Sequence, residues 1–516
     1  MRGLSSENSR SGLQDSKLNV SSYLLTTFLL GAFTVLGFAP FYLFPIPVIT
    51  IALLLYFWRK SATPFQAALL GFCFGMGMFG AGVTWLYVSL HEFGAMPASI
   101  AVFFLIILCA YLSLFTMLAG WILRKLHIET PLMWTLLAAT LWALSEWLRG
   151  VLFTGFPWLA IGYSQAPSSP LAGFAALVGV YGVSLILVFS AALISLFFEK
   201  PLRTWSNTLI LSVIWIIGFG LQHVSWTEPQ GEPVTVSLLQ GNISQEMKWR
   251  PEHVIRTMDT YAKLAHESDS RLIITPEISL PLTRGEVPFN YLAQLSTHAE
   301  RNNGDILVGM VETSSGGSGD YYNSMFSFGI SSEQIYRKHH LVPFGEFIPS
   351  KLIFGWVIDV LKIPLSDFSR GETNQRPMNL AGQSVAVNIC YEDVFGEELI
   401  SQLPQATLLA NVTNDAWFGR SIGPHQHLQI SQMRALETGR YMLRATNTGI
   451  SAIINERGVV LKKAEVFTTT TLNGLVQGYT GATPYVLFGN SLVLGFIGLS
   501  LFIGLLPIFR GTRKTL

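Results

Sequence analysis

The chain has 516 residues, of which half are hydrophobic and only 13% are charged, about half the charged share that is usual for a soluble protein. Its formal net charge of +1 gives no electrostatic footprint for nucleic acid, which is therefore excluded as an expected partner. The mean hydropathy of +0.43 predicts a membrane protein.

Long apolar runs extend from Ser21 to about Trp226 and again from Tyr485 to Phe509. Because a bilayer core requires about 20 apolar residues per helix, we predict a seven-helix transmembrane domain over 20–225 and a final span over 485–509. The seven spans are expected near 20–37, 43–58, 65–90, 97–123, 132–148, 170–198 and 205–222.

Basic residues are distributed unevenly between the two sets of loops. One set, together with the tails 1–19 and 510–516, carries nearly all of them, whereas the other set has only Arg149. The positive-inside rule places the basic set in the cytoplasm, so the part between the spans is expected on the outer side of the membrane. The polar N-terminal tail is too long for the n-region of a cleaved signal peptide, which predicts that the first span is retained.

Two loops on the predicted outer side are rich in aromatic residues. They are VTWLYVSLHEFG (83–94), with Trp85, and SEWLRGVLFTGFPW (145–158), with Glu146, Arg149 and Trp158. Ordinary interfacial aromatics would explain them. Alternatively, they form a cleft with the soluble part, in which case the Glu and the Arg are expected to pair or to meet a polar headgroup.

The soluble part, 233–476, alternates strand and helix patterns, which predicts a layered α/β domain. Helical periodicity covers 252–268 and 425–443, and 477–489 has the composition of a short linker into the last span. Strands are predicted at 233–243, 271–277, 305–312, 324–330, 384–392, 406–415 and 448–455.

Three reactive side chains are expected at strand ends: Glu277, Lys338 and Cys390. Functional groups collect at strand ends in α/β sheets. A carboxylate can take the proton of a thiol. An ammonium and the backbone N–H of Tyr391 can stabilise an oxyanion, and a thiolate that attacks a carbonyl gives a thioester.

Each of these residues also has an ordinary structural explanation when it is taken alone. A strand-end cysteine is more often a core residue, and Lys338 can belong to a solvated basic run. His339 and His340 could bind a metal, but no third ligand has helpful spacing. Cys73 and Cys109 lie in apolar runs and are expected to be buried hydrophobes, so Cys390 is predicted to be a free thiol.

The order Glu277, Lys338, Cys390 resembles the triad of the nitrilase superfamily. Four stretches resemble the apolipoprotein N-acyltransferase family more closely: QGNI…KW (240–249), KHHLVPFGEFIP (338–349), NICYED (388–393) and NVTNDAWFG (411–419). One departure is Thr275, where the family often has tryptophan before Pro-Glu.

The resemblance implies a transmembrane helical bundle with an outward nitrilase-like αββα sandwich. It implies that a fatty acid passes from a phospholipid, mainly phosphatidylethanolamine, to the triad cysteine and then to the diacylglyceryl-cysteine of an apolipoprotein. Glu277 would be the base, Lys338 the oxyanion donor and Cys390 the nucleophile. Supporting roles fall on Glu346, Tyr391 and Glu392, and substrate contacts on Trp249, Trp417, Trp158, Trp85, Glu146 and Arg149.

Two other functions stay open on the residues alone. A membrane-bound amidase or nitrile hydrolase would use water as the second nucleophile, although hydrolysis of a soluble amide needs no membrane spans. A transporter with a binding domain would place charges or broken helices at the bilayer midplane, and few such residues occur in the predicted spans. No cofactor or metal is expected, because a thioester mechanism needs neither.

Overall fold

In the computed structural model of the protein, the described residues are 20–198, 205–314, 320–349 and 367–511. The predicted tail 1–19 and most of the tail 510–516 therefore lie outside them, as do Lys200 and Arg203. Seven apolar helices precede the soluble part. They are α1 Val20–Thr34, α2 Pro45–Lys60, α3 Pro64–Gly82, α4 Ala98–Lys125, α5 Pro131–Val151, α6 Ala175–Phe197 and α7 Trp205–Leu221.

Within the part of the chain that the structure describes, four apolar helical stretches are long and apolar enough, by length and composition, to cross a membrane. They are Pro64–Gly82, Ala98–Lys125, Pro131–Thr154 and Pro170–Phe197. The count of eight spans remains a prediction. The span expected near 65–90 is shorter than predicted, because α3 ends at Gly82 and two short turns, Trp85–Val88 and Ser89–Phe93, follow it.

The soluble part contains twelve strands among the described residues. They are β1 Glu228–Gln240, β2 Leu272–Ile274, β3 Asp305–Thr313, β4 Tyr321–Gly329, β5 Ile335–Arg337, β6 Met378–Leu380, β7 Gln383–Ile389, β8 Leu408–Thr413, β9 Met442–Thr446, β10 Ala452–Ile454, β11 Val460–Lys463 and β12 Thr470–Thr480. They form two six-stranded sheets, in the orders β12-β1-β2-β3-β4-β5 and β11-β10-β9-β8-β7-β6. In each sheet the three neighbouring central strands, β1–β3 and β7–β9, run parallel.

Successive side chains of a strand point to opposite faces of its sheet, so each sheet buries one face against the other sheet and one face against helices. Leu238 and Val387 belong to a buried cluster shared by both sheets. Their neighbours Leu239 and Ala386 lie in two further clusters on the outer faces. Helices α8 Pro251–His266 and α9 Phe289–Arg301 cover the first sheet, and α10 Gly423–Thr438 covers the second. The αββα sandwich is thus as predicted.

Three local predictions differ from the structure. The helix pattern 425–443 ends earlier, because Gly439 takes a left-handed conformation with φ +63° and closes α10 there. The predicted linker 477–489 instead begins inside β12, which pairs with β1, and ends in the short helix Pro484–Phe488. The last apolar helix, α11 Ser491–Gly511, starts after it.

Helix α10 joins the sandwich to the apolar helices through buried amides. Gln429 accepts from the Ala39 backbone N–H at 2.8 Å, and its own amide donates to the Ala166 carbonyl at 3.0 Å. Glu437 accepts from the Val180 N–H at 2.7 Å. That N–H is available because α6 is interrupted at Gly179, which has φ +62°. The sandwich that carries the catalytic candidates is therefore hydrogen-bonded to the apolar helical part.

Candidate active site

The predicted reactive side chains lie at strand ends of the two sheets. Lys338 follows β5 directly, and Cys390 follows β7 directly. Glu277 comes three residues after β2, which runs in the same direction as β5 because β3 and β4, and β4 and β5, are antiparallel. The carboxyl ends of β2 and β5 thus lie at one edge of the first sheet, and the folding of the sandwich brings Cys390 to them.

Glu277, Lys338 and Glu346 form a buried group that we call the acid–base cluster. The Lys338 ammonium lies 3.2 Å from Glu277 Oε1 and 2.9 Å from Glu346 Oε1. The Asn323 amide donates to the same two oxygens, at 2.8 and 3.1 Å. Glu277 Oε2 accepts from the Asn414 backbone N–H at 3.0 Å. Lys338 is thereby fixed between two carboxylates.

Electrostatics keeps this cluster charged. Burial raises the pKa of Glu277, but the Lys338 and Lys248 ammonium groups outweigh it and hold the pKa below its ordinary value. Burial also disfavours the charge on Lys338, yet Glu277 and Glu346 hold its pKa well above the ordinary value. A general base must be deprotonated before it can accept a proton, and an ionised carboxylate meets this requirement.

Cys390 is partly accessible, and its thiol is protonated at rest. Desolvation raises its pKa well above the ordinary value; the Glu277 charge adds to this, whereas Lys338 and a hydrogen bond with Thr413 oppose it. The thiol therefore needs a base at the moment of attack, and the ionised Glu277, whose charge acts on the thiol, is the candidate. The backbone at Cys390 has φ +54°, a costly conformation for a residue with a Cβ.

Glu392 ties the turn after Cys390 to the turn after Lys338. Its Oε1 accepts from the His339 and His340 backbone N–H groups at 2.6 and 3.1 Å, and its Oε2 accepts from Ile389 N–H at 2.6 Å. This side chain fixes the separation of the two reactive turns.

Tyr391 and His340 both reach the loop after α5. The Tyr391 hydroxyl donates to the Gly155 carbonyl at 3.1 Å. His340 contacts Glu398 and the Thr154 carbonyl through its two ring nitrogens, at 2.8 and 3.0 Å. Among the described residues, no three His, Cys, Asp or Glu side chains are placed to hold a metal ion.

A second charged group lies behind the cysteine and was not predicted from the sequence. We call it the Arg444 network: Arg444, Asp393, Asp415, His427 and Ser431, all buried. His427 lies 2.9 Å from Asp393 Oδ1 and 2.9 Å from Asp415 Oδ1. Arg444 lies 2.9 Å from Asp415 Oδ2. The Ser431 hydroxyl donates to Asp393 Oδ2 at 2.6 Å.

Lys248 is a further missed residue, although it lies inside the quoted stretch QGNI…KW. It is buried, and its ammonium donates to the Glu277 carbonyl at 3.3 Å. Burial lowers its pKa to about 8, against the pull of Glu277 and Cys390. Its neighbour Trp249 packs on an apolar cluster that contains Ile278, beside the base.

Two of the predicted aromatic contacts, Trp85 and Trp158, pack together with Phe418 between the two parts. Trp85 lies 4.9 Å from Trp158 and 4.4 Å from Phe418, between ring centroids. Both indole N–H groups donate to Gln426 Oε1, at 3.2 and 2.7 Å. The Trp417 carbonyl accepts from Ser89. A role in substrate binding stays a prediction for these tryptophans.

Glu146 and Arg149 do not reach the lipid-facing surface. Glu146 accepts from Trp142 Nε1 and the Ile161 N–H, at 2.9 and 2.8 Å. Arg149 donates to the Phe156 and Trp158 carbonyls, both at 2.6 Å. Both side chains are buried, because the loop after α5 folds back over them. A role in substrate binding stays a prediction for both residues.

Comparisons with known proteins cover nearly the whole chain. Residues 30–193 match the model of the apolipoprotein N-acyltransferase N-terminal domain, and residues 235–485 match that of carbon-nitrogen hydrolase. A curated apolipoprotein N-acyltransferase of Nitrosomonas europaea is 65% identical over 96% of this chain and 99% of its own. Proteins of the same name from Chromobacterium violaceum and Methylococcus capsulatus are each 42% identical, over 96% and 90% of this chain and 96% and 92% of their own.

Proposed function

The chain belongs to the apolipoprotein N-acyltransferase family, and we propose that it works through a thioester on Cys390. The acyl chain comes from a phospholipid, with phosphatidylethanolamine as the expected donor. The acceptor is the α-amino group of the N-terminal diacylglyceryl-cysteine of an apolipoprotein. The reaction completes lipoprotein maturation.

In the first half-reaction, Glu277 takes the proton of Cys390 and the thiolate attacks the ester carbonyl of the phospholipid. The carbonyl oxygen becomes negative and is stabilised by Lys338 and the Tyr391 N–H. The C–O bond then breaks, a C–S bond remains, and Glu277 returns its proton to the leaving lysophospholipid. Each oxyanion donor contributes about 3 kcal/mol to the transition state.

In the second half-reaction, the amine of the diacylglyceryl-cysteine attacks the thioester. Glu277 accepts the amine proton, the C–S bond breaks and a C–N amide bond forms. The proton passes from Glu277 to the departing thiolate, which restores Cys390. Glu346 holds Lys338 in place throughout.

The observation that carries the proposal is the buried contact of Lys338 with Glu277 at 3.2 Å, with Cys390 under the electrostatic influence of both. A protonated thiol, an ionised base and a fixed ammonium are complementary parts of one acyl transfer.

Placement at a membrane surface suits both substrates, because each is anchored by its acyl chains. Drawing a chain into water costs about 0.8 kcal/mol per CH₂. The loops of the helical part contact the sandwich through Ser89, Thr154 and Gly155. The basic residues Arg59, Lys60, Arg124 and Lys125 lie in other loops. This supports an orientation with the sandwich on the periplasmic side of the inner membrane.

The test is the intact mass of the purified full chain after incubation with phosphatidylethanolamine vesicles. The expected result is one fatty acyl mass, mapped by peptide analysis to Cys390, that disappears when a diacylglyceryl-cysteine peptide is added and N-acylated. Cys390→Ser should abolish transfer, whereas the matched control Cys73→Ser should keep it. Phosphatidylglycerol vesicles compare the headgroups.

Two outcomes would overturn the proposal. Transfer to the peptide by Cys390→Ser would exclude the cysteine as nucleophile. Release of free fatty acid in place of the acylated peptide would make the protein a hydrolase.

A further inference from the structure

The peptide bond between Cys390 and Tyr391 carries two groups that point in opposite directions. In a planar trans peptide, fixing the carbonyl oxygen also fixes the N–H. The Cys390 carbonyl accepts from Asn411 Nδ2 at 3.1 Å and lies 3.3 Å from His427 Nε2. The direction of the Tyr391 N–H is therefore set by the two side chains that contact the Cys390 carbonyl oxygen, at the opposite edge of the same peptide.

The orientation of Asn411 is itself determined. Its Oδ1 accepts from Arg444 at 2.6 Å, and an arginine can only donate. The amide nitrogen must then face the Cys390 carbonyl and the Asn388 oxygen, which it meets at 2.6 Å. Asn411 is held as a donor to the peptide.

His427 is also held as a donor. Each of its ring nitrogens lies 2.9 Å from a carboxylate oxygen, of Asp393 on one side and Asp415 on the other. Ionised carboxylates only accept, so both nitrogens carry hydrogens. The side that faces Asp393 is the one that also faces the Cys390 carbonyl.

We propose that His427 and Asn411 are positioning residues that aim the Tyr391 N–H at the oxyanion. The inference rests on the proposed function, because it needs Cys390 as the nucleophile. The backbone at Cys390 is left-handed, with φ +54°. Such a costly conformation persists only where its surroundings over-determine it, which explains why two side chains contact the Cys390 carbonyl.

A matched pair of substitutions separates this role from loss of the imidazolium charge. The amide of His427→Gln ends near the position of Nε2 and keeps a donor for the Cys390 carbonyl. The amide of His427→Asn ends near Nδ1 and keeps only the contact with Asp415. Both variants remove one positive charge. His427→Asn should lower kcat for acyl-enzyme formation by about 10- to 100-fold, and His427→Gln by less than about threefold.

A second readout tests whether the thiol itself is intact. Alkylation of Cys390 by iodoacetamide forms no oxyanion, so its rate should stay within about twofold of the wild type in His427→Asn. KM for phosphatidylethanolamine should also stay unchanged, because the N–H acts on the transition state alone. Asn411→Ala, which leaves the charges of the network in place, should lower kcat with the same pattern.

Ser431→Ala is the structural comparison, since Ser431 contacts Asp393 and Arg444 and does not touch the peptide. It should lower the melting temperature with less effect on kcat than Asn411→Ala. Three outcomes would each refute the positioning role. The first is an equal loss of kcat in His427→Asn and His427→Gln, and the second is a normal kcat in both. The third is an alkylation rate of Cys390 that falls as much as kcat does. Failure of the proposed function would appear separately, as acyl transfer by Cys390→Ser.

Discussion

The acid–base cluster and the Arg444 network both adjoin Cys390, but they act on different atoms and differ in what their charges can do. In the cluster, two carboxylates share Lys338, and Lys248 beside them has a pKa of about 8. In the network, both oxygens of Asp415 are occupied by cations, and its pKa is about 2. The charges of the cluster surround the candidate base Glu277, whereas those of the network hold a buried carboxylate ionised.

Removing the base gives the largest expected effect and sharpens this contrast. Glu277→Gln keeps the shape and the contact with Asn323 but cannot take a proton. The rate of acyl-enzyme formation should fall by about a thousandfold or more, while Glu346 still pairs with Lys338. The exposed Glu286→Gln is the control. A rate within tenfold of the wild type would mean that another group is the base.

Breaking the network should affect stability before chemistry. Arg444→Met leaves Asp415 and Asp393 buried with one cation fewer, which should lower the free energy of unfolding by about 3–5 kcal/mol. Thermal unfolding in detergent measures this. Arg457→Met, at an exposed ion pair, should have little effect. Equal shifts in the two variants would show that the network does not hold the fold.

Acid should weaken the network over a defined range of pH. The pKa of Asp415 is lowered because Arg444 and His427 outweigh the effect of burial. A carboxyl with a lowered folded pKa stabilises the protein above its unfolded pKa and loses that contribution as pH falls through the folded value. About 2 kcal/mol should therefore disappear between pH 4 and about 2. Melting temperatures should show this component in wild type and in Asp269→Asn, but not in Asp415→Asn.

Lys248 should give the smallest effect, in the pH profile. With a pKa of about 8, its ammonium loses its proton above that pH and no longer favours the thiolate, so kcat/KM should decline there. Lys248→Met should lower the rate at pH 7 by about tenfold, or 1.4 kcal/mol, and remove the decline. The exposed Lys263→Met should keep it. A decline that persists in Lys248→Met would assign it to another group.

The local signals in the sequence predicted much of the architecture. Apolar, β-branched runs, such as those around Leu238 and Val387, predicted strands, and the resemblance to the nitrilase triad predicted that Glu277, Lys338 and Cys390 act together. Five strands were not predicted: β5, β6, β9, β11 and β12. Strand β9 begins inside the predicted helix 425–443, and β12 runs into the predicted linker 477–489. Asn323 was missed because nothing local distinguishes a strand asparagine that meets two carboxylates.

The sequence by itself determined the two regimes of the chain, the layered α/β class and the reactive side chains, because hydropathy, period and residue chemistry are local properties. Only the tertiary structure decided what surrounds them. His427, Asp393 and Arg444 lie on different elements far apart in sequence, and their meeting behind Cys390 depends on how sheet, turn and helix pack. Glu146 and Arg149, which were expected to pair or to meet a polar headgroup, are both buried, and burial is a property of the folded chain.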